Sequence, residues 1–374
     1  LKKAVKKTLL LLNCVIAGSL LLAYLSVYIS PEDFWLLAFV GLAYPILLLL
    51  NLLMVILWIF RKNKFVLISL LTILLGSGHI RNFIQIPVFE KRDSFERSND
   101  TIHGDTLVRQ ESIAFLSYNV RLFNFYRWSD NPAAGEMIFD LIADTDPGIL
   151  CLQEIYTPVE GEISSLSRKD GTGTYCYSHI AYAIGSSLSG KYGIATLSVF
   201  PIVNRGELRF PGTHNLAIFT DLKIHNDTIR IYNTHLQSIR LRKREYDLMK
   251  MLNSGEDETM NEIKDISSRL IYAFRKRAHQ AEILSGHIRE SPWPVIVCGD
   301  FNDTPVSYTY HKIKGDLVDA FIESGLGIGN TYSGMFPSYR IDYILHSRNL
   351  QSGGFETVRV DYSDHFPVSC RFGI

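Results

Sequence analysis

The sequence predicts a mixed α/β (α+β) protein: two packed β-sheets flanked by helices, preceded by an N-terminal transmembrane helical segment. Three observations carry this reading. The first ninety residues hold two long runs without a single charge. The remainder holds many short apolar runs with few helical stretches between them, which suits packed sheets better than a doubly wound nucleotide fold. And acids, amides and histidines recur where those runs end.

Residues 8–30 and 34–60 contain only Glu32 and Asp33 between them as charges, and neither run includes one. Each exceeds the roughly 20 residues that cross about 30 Å of hydrocarbon. Residues 65–78 form a third, shorter uncharged stretch, which Ile80, Phe83, Ile84 and Ile86 extend as an interfacial end. A secretory signal would carry a shorter apolar core and would not be followed at once by a second span. A lipoprotein signal ending at Cys14 fails because the apolar run continues past it. Lysines 2, 3, 6 and 7 precede the first run, and Arg61, Lys62 and Lys64 follow the second. The excess of bases at these two places puts both in the cytoplasm. A third span then delivers the rest of the chain to the extracytoplasmic side. If residues 65–86 only lie on the membrane, the large domain is cytoplasmic instead. The expectation is a multi-pass protein of the cell membrane with its large domain outside.

The 374 residues are 47% hydrophobic and 20% charged, with 38 basic and 38 acidic side chains. That composition excludes a disordered or collagen-like chain, and five cysteines exclude a disulfide framework. The neutral total hides an asymmetry. Residues 1–100 hold 11 bases and 6 acids, so the remainder has 27 bases and 32 acids. An acidic balance offers no general groove for a nucleic-acid backbone. Residues 90–111 are polar and read as a linker.

In the remainder, strand-like runs are predicted at Ser112–Val120, Gly148–Leu152, Gly193–Ser198, Asn215–Leu222, Thr228–Thr234, Pro294–Gly299, Ile341–Leu345, Phe355–Val360 and Val368–Phe372. Helical spacing marks Glu136–Asp144, and helical composition marks 245–290, interrupted at Asn253–Gly255. Cys151, Cys298 and Cys370 sit inside apolar runs and read as core.

Polar residues fall at the ends of these runs: Asn119, Glu154, His235, Asp300 with Asn302, Asp342, and Asp364 with His365. One acid at a strand end is usually a turn residue. Six such placements in one domain form a chemical set. Glu154 and Asp364 are hard oxygen ligands suited to Mg²⁺. Asn119 and Asn302 hold a phosphoryl oxygen or water without adding charge. Asp300 can orient and deprotonate water, His365 and His235 can donate to phosphoryl oxygens, and Asp342 can fix a histidine ring. This is the inventory of metal-assisted phosphoester hydrolysis. The nucleophile elbow of acyl transfer, the zinc-peptidase helix motif and the phosphate loop of motor proteins are absent from the sequence. Bases at Arg240, Arg242, Lys243 and Arg244 read either as an anion-binding patch or as a solvated helix start.

SYNVRLFN at 117–124, DPGILCLQE at 146–154, NTHLQS at 233–238, GDFNDTP at 299–305, RIDYILHS at 340–347 and SDHFPV at 363–368 resemble, in order, the motifs of the endonuclease/exonuclease/phosphatase superfamily with the deoxyribonuclease-I-like fold. The resemblance covers about 112–374. It implies a four-layer sandwich with the site at one end of two central sheets. It also implies metal ligation by Asn119, Glu154 and Asp364, and catalysis by Asp300, Asn302, His365, His235 and Asp342. The Thr234-His235-Leu236 form is unlike the repair exonucleases and similar to deoxyribonuclease I, neutral sphingomyelinases, inositol-polyphosphate phosphatases and deadenylases.

The expected organisation is therefore a transmembrane region over 1–88, a linker over 89–111 and a catalytic domain over 112–374. The expected cofactor is Mg²⁺, with Mn²⁺ as a substitute. The expected partners are a bilayer and a phosphoester substrate: nucleic acid, phospholipid or sphingolipid, or inositol phosphate. No protein partner is implied. The alternative is a catalytically inactive membrane-bound binding module of the same fold.

Overall fold

The computed structural model describes residues 2–86, 100–103, 106–109, 112–125, 131–157, 175–186, 190–239, 257–333 and 339–373. The predicted linker lies largely outside these residues, as do the bases at 240–244. The chain divides into two compact units. One comprises Leu1–Phe83, Ser238–Glu282 and Asp303–Ile313; the other comprises Ile84–Gln237, Ile283–Asn302 and Lys314–Ile374.

The first unit is helical. Helices α1 (Lys2–Leu25), α2 (Leu36–Leu42), α3 (Tyr44–Phe60) and α4 (Val66–Leu75) pack together. Helix α1 is long and apolar enough to cross a membrane; α2 and α3 pass the same test only as a pair, bent by 62°. The bend follows from Pro45, which lacks the N–H that would continue the helix from Gly41. Helix α4 has 10 residues, shorter than the predicted third span. The polar side chains of the unit point inward. Asn13 donates to the Phe65 carbonyl at 3.2 Å and accepts from Ser69 at 2.6 Å, and Asn51 reaches the Ile16 carbonyl at 3.3 Å. Leucines 11, 49, 53, 71 and 75, with Ile59 and Phe60, lie exposed.

The second unit is the predicted pair of sheets. Strands β1 (Ser112–Asn119), β2 (Ile149–Thr157), β3 (Tyr177–Ser186), β4 (Gly190–Ser198), β11 (Gln351–Thr357) and β12 (Val368–Gly373) form one sheet in the order β11-β12-β1-β2-β4-β3. Strands β5 (Ile202–Arg209), β6 (Leu216–Ile224), β7 (Asp227–His235), β8 (Val295–Asp300), β9 (Val318–Asp319) and β10 (Asp342–His346) form the other, in the order β9-β10-β8-β7-β6-β5. Between the sheets pack Phe115, Ile149 and Cys151 from one and Ile231, Ile296, Cys298 and Ile344 from the other, as the apolar runs predicted. Helix α5 (Ala134–Thr145) covers the outer face of the first sheet through Ile138 and Ile142. The last turns of helix α6 (Asp257–Arg289) cover the second, where Tyr232 Oη lies 2.7 Å from His287 Nδ1. Helix α8 (Ala320–Ser324) also belongs to this unit, whereas α7 (Tyr308–Lys314) belongs almost wholly to the first.

Each sheet has one parallel pair at its centre, β1 with β2 and β7 with β8, and an antiparallel neighbour, β12 or β10. Parallel strands end together, and an antiparallel neighbour begins where they end. The C-terminal ends of β1, β2, β7 and β8 and the N-terminal ends of β10 and β12 thus lie at the same end of their sheets. This is why the polar residues predicted at the ends of apolar runs meet.

Candidate active site

Three positions come side by side through strand register alone: His235 pairs with Asp300, and Asp300 with Asp342, across β7, β8 and β10. Next to them Gly299 adopts φ +121°, and a Cβ at this position would run into the backbone of Thr234, so the close pairing of the two strands requires glycine. Glu154 arrives differently. Between Leu152 and Ile155 the register of β2 against β4 shifts, and Glu154 takes φ +51°. This β-bulge returns Ile155 to the apolar side of Leu152 and takes Glu154 out of the alternation.

Asp300 is buried and fully engaged. Its Oδ1 accepts the Asn302 backbone N–H at 2.7 Å, and its Oδ2 accepts the side-chain amides of Asn302 at 2.9 Å and Asn119 at 3.1 Å. The same oxygen lies 3.8 Å from His235 Nε2 and 3.7 Å from His365 Nε2. Burial pushes the Asp300 carboxyl up to about 6, against the pull of His365. His365 Nδ1 sits 2.9 and 3.1 Å from the two oxygens of Asp342. Burial alone would lower His365; Asp342 and Asp300 outweigh it and hold the imidazole well above its ordinary value. The ring is fixed by Asp342 and aimed at Asp300, and this setting favours its charged form. Asp342 is held in turn, because Thr331 Oγ1 accepts its backbone N–H at 3.0 Å.

Glu154 Oε1 lies 3.4 Å from His235 Nε2. Burial, and then the negative charge of Asp364, push its carboxyl above the usual range. Glu154, Asp364 and Asn119 are all oxygen donors, the ligand type that a divalent cation such as Mg²⁺ takes. Asp300, Asp342 and His365 also place ligand-type atoms within 4.8 Å of one another. In that group both Asp342 oxygens are already taken by His365, so it reads better as a hydrogen-bonded relay than as a cage.

All eight residues predicted for the site belong to the sheet unit, and seven are joined by the contacts above. Asp364, the eighth, is reached through a residue that sequence reasoning did not single out. Arg121 Nη1 lies 2.7 Å from Asp364 Oδ2, and its positive charge also acts on Glu154. Arg121, Leu122, Phe123 and Asn124 all have positive φ, a left-handed turn that each non-glycine residue enters at a cost of about 1–2 kcal/mol. The Asn119 Oδ1 accepts the Arg121 N–H at 3.1 Å and steadies the turn. Two further missed residues lock the sheets together behind the site. Gln153 donates to Asn233 Oδ1 at 2.8 Å, and Asn233 donates to the carbonyls of Leu152 at 3.2 Å and Ala195 at 2.8 Å. Polar residues inside the motifs LQE and NTH were the available signal.

Comparison with known proteins agrees with this fold. Residues 116–365 match the endonuclease/exonuclease/phosphatase family. The chain belongs to that family. It is accordingly a hydrolase acting on phosphoester bonds, and its two flanked sheets are the family's fold. Residues 6–83 match a family described as a domain of unknown function, DUF8431. No curated protein sequence matches. Among solved structures, the catalytic domain of human nocturnin with bound sulfate is 20% identical at a TM-score of 0.50, covering 70% of this chain and 93% of that one. An endonuclease/exonuclease/phosphatase from Beutenbergia cavernae is 15% identical at 0.51, covering 70% and 72%. A mannosyl-6-phosphatase of Bacteroides thetaiotaomicron is 16% identical at 0.50, covering 70% and 100%. At these identities the likeness speaks for the fold.

Proposed function

We propose that this family member is a membrane-anchored hydrolase that uses a divalent metal, Mg²⁺ by preference. An extracytoplasmic catalytic domain requires helix α4 with the turn Ser77–Ile80 to complete a third crossing, since two crossings from a cytoplasmic N-terminus leave that domain in the cytoplasm. The observation that carries the chemistry is Asp300, buried between two histidines. Asp300 has one carboxylate oxygen near both imidazoles, and its remaining capacity is spent on Asn302 and Asn119. It is placed to align a water and accept its proton as oxygen attacks phosphorus in line. His365, kept protonated by Asp342, donates to a phosphoryl oxygen and offsets the charge that develops there. His235 does the same from the neighbouring strand. Asn119, Glu154 and Asp364 would hold the metal, which supplies Lewis-acid stabilisation of the phosphoryl or leaving oxygen.

The membrane reading rests on the helical unit. Its surface carries leucines 11, 49, 53, 71 and 75 with Ile59 and Phe60, while Asn13, Asn51 and Ser69 are buried. A water-soluble bundle has the opposite arrangement; apolar outside with amides as internal glue suits lipid. Lys3, Lys6 and Lys7 lie at the start of α1 and Arg61, Lys62 and Lys64 after α3, supporting a cytoplasmic position for both. A substrate presented at a membrane surface, a phospholipid, sphingolipid or inositol phosphate, follows from that location. Sugar phosphates and nucleic acids are the competing classes.

The test uses the full chain in lipid nanodiscs with Mg²⁺. The substrates are sphingomyelin, inositol polyphosphates, mannose 6-phosphate and plasmid DNA, and Asp300→Ala and His365→Ala serve as controls. Hydrolysis that stops with a chelator and in both variants is expected. Equal hydrolysis by wild type and both variants would overturn the assigned site.

A further inference from the structure

The helical unit contains more than the N-terminal helices. Residues Asp303–Ile313, which follow Asp300-Phe301-Asn302 directly in sequence, belong to it. Val306 is completely buried, in one cluster with Leu20, Ala23, Val27, Tyr44 and Ile73. Its carbonyl accepts the Ser26 hydroxyl at 3.3 Å. A Cβ on Gly41 would stand 2.5 Å from that carbonyl and would also strike the Ser26 hydroxyl, so only glycine admits the Val306 backbone here. The rings of Tyr28 and His311 meet edge to face at 4.9 Å, and those of Phe39 and Phe274 at 5.2 Å. On its other flank the segment is tied to α6. Arg277 and Asp303, both buried, pair at 3.1 Å, and Lys312 pairs with Glu282 at 2.8 Å.

The contacts lie at one end of the bundle. Leu20–Val27, Gly41–Tyr44 and Ile73 form that end. The opposite end is marked by Lys6 over the Phe65 ring and by Trp58 against Phe65, and the chain's first two basic clusters sit beside those residues in sequence. A tether would need no socket of this kind. The polar motif Asp300–Thr304 is followed by Pro305-Val306, an apolar step that has a use only where something apolar receives it.

We propose that the N-terminal helical domain is the seat of segment Asp303–Ile313. Its end remote from the lysines grips Val306 and thereby holds the stretch of chain that leaves Asn302. The domain of unknown function thus gains a role: it is a working part of the hydrolase, and turnover depends on the grip. The choice of membrane side rests on the reading under Proposed function; the grip itself does not.

The experiment uses the full chain with Tyr28→Cys and His311→Cys, in a background where the exposed Cys14 and Cys176 are serine. A short bifunctional methanethiosulfonate should join the pair in bilayers and in mild detergent, and single-cysteine controls should show no intramolecular product. Gly41→Ala should lower cross-linking, and should lower kcat by about tenfold or more, the scale on which small misplacements act. KM should change little. Absence of the cross-link, or a Gly41→Ala protein with full kcat, would overturn the seat. A chain that cross-links but is washed off membranes by alkaline carbonate would leave the seat standing and sink the membrane reading instead.

Discussion

The N-terminal helices α1–α4 and the sheet unit both bury polar side chains, and only the sheet unit adds buried charges to its buried amides. Among α1–α4 the buried set is neutral: Asn13, Asn51 and Ser69, each hydrogen-bonded to a backbone carbonyl or to one another. The sheet unit buries ionised ones: Asp300 and Asp342 with His365, Asp221 with Arg230 at 2.6 Å, and Asp319 with Arg340. A neutral amide is inexpensive to bury once bonded, whereas a charge requires a partner and a surrounding set of donors. The neutral set joins helices. The charged set sustains a strong local field, which chemistry at phosphorus needs. Removing a member should therefore cost little among α1–α4 and much in the sheet unit.

The largest effect is expected in the site. Asp300→Ala or His365→Ala should lower kcat by about 10⁴-fold, equivalent to about 5.5 kcal/mol of transition-state stabilisation. Circular dichroism should remain native, and a loss below tenfold would remove these residues from the mechanism. Next comes Arg340→Met. It leaves Asp319 charged and buried, and should cost about 3–5 kcal/mol in denaturant unfolding followed on the sheet unit. Replacing both partners by apolar residues should recover much of that. Third, burial lowers His179 to about 4, beside Thr220 Oγ1 at 2.9 Å. The unfolded chain binds this proton near pH 6.5, so stability is complete above that value and declines as pH falls toward 4. The loss is at most about 3 kcal/mol, and His179→Gln should flatten that part of the profile. Fourth, Arg121→Met removes a charge-assisted contact that positions Asp364, worth about 1.5–3 kcal/mol, and should lower kcat by about 10- to 100-fold. The smallest effect is expected in the bundle, where Asn51→Leu should cost about 0.6–2 kcal/mol. A larger loss there would erase the contrast between the units.

The site was legible because its residues interrupt apolar runs in an ordered series. Asn119, His235, Asp300, Asp342 and His365 needed no knowledge of loops, only of where strands begin or end; Glu154 stands at the end of the apolar run but inside its strand, at a bulge. The two sheets were legible for the same reason, through β1, β7, β8 and β12. The edge strands β3 and β5 were not. In Ile202–Arg209 most side chains are exposed, so alternation never appears in the sequence. Arg121 escaped notice because its place depends on four left-handed residues, which no periodicity announces. Arg340 stood in a quoted motif, yet its partner Asp319 is 21 residues away. The seat of Val306 was beyond reach because Ser26 lies 280 residues from it. The third apolar stretch looked like a span by composition, but its helix has only 10 residues.

The bridge between Gln153 and Asn233 behaves like a dowel pin. One sheet supplies Asn119, Glu154 and His365, the other His235, Asp300 and Asp342, so the catalytic geometry is a matter of alignment between two plates. Each plate can stay intact while the alignment slips. Heat inactivation should then precede loss of sheet signal, by a margin that the buried amides Gln153 and Asn233 help to set.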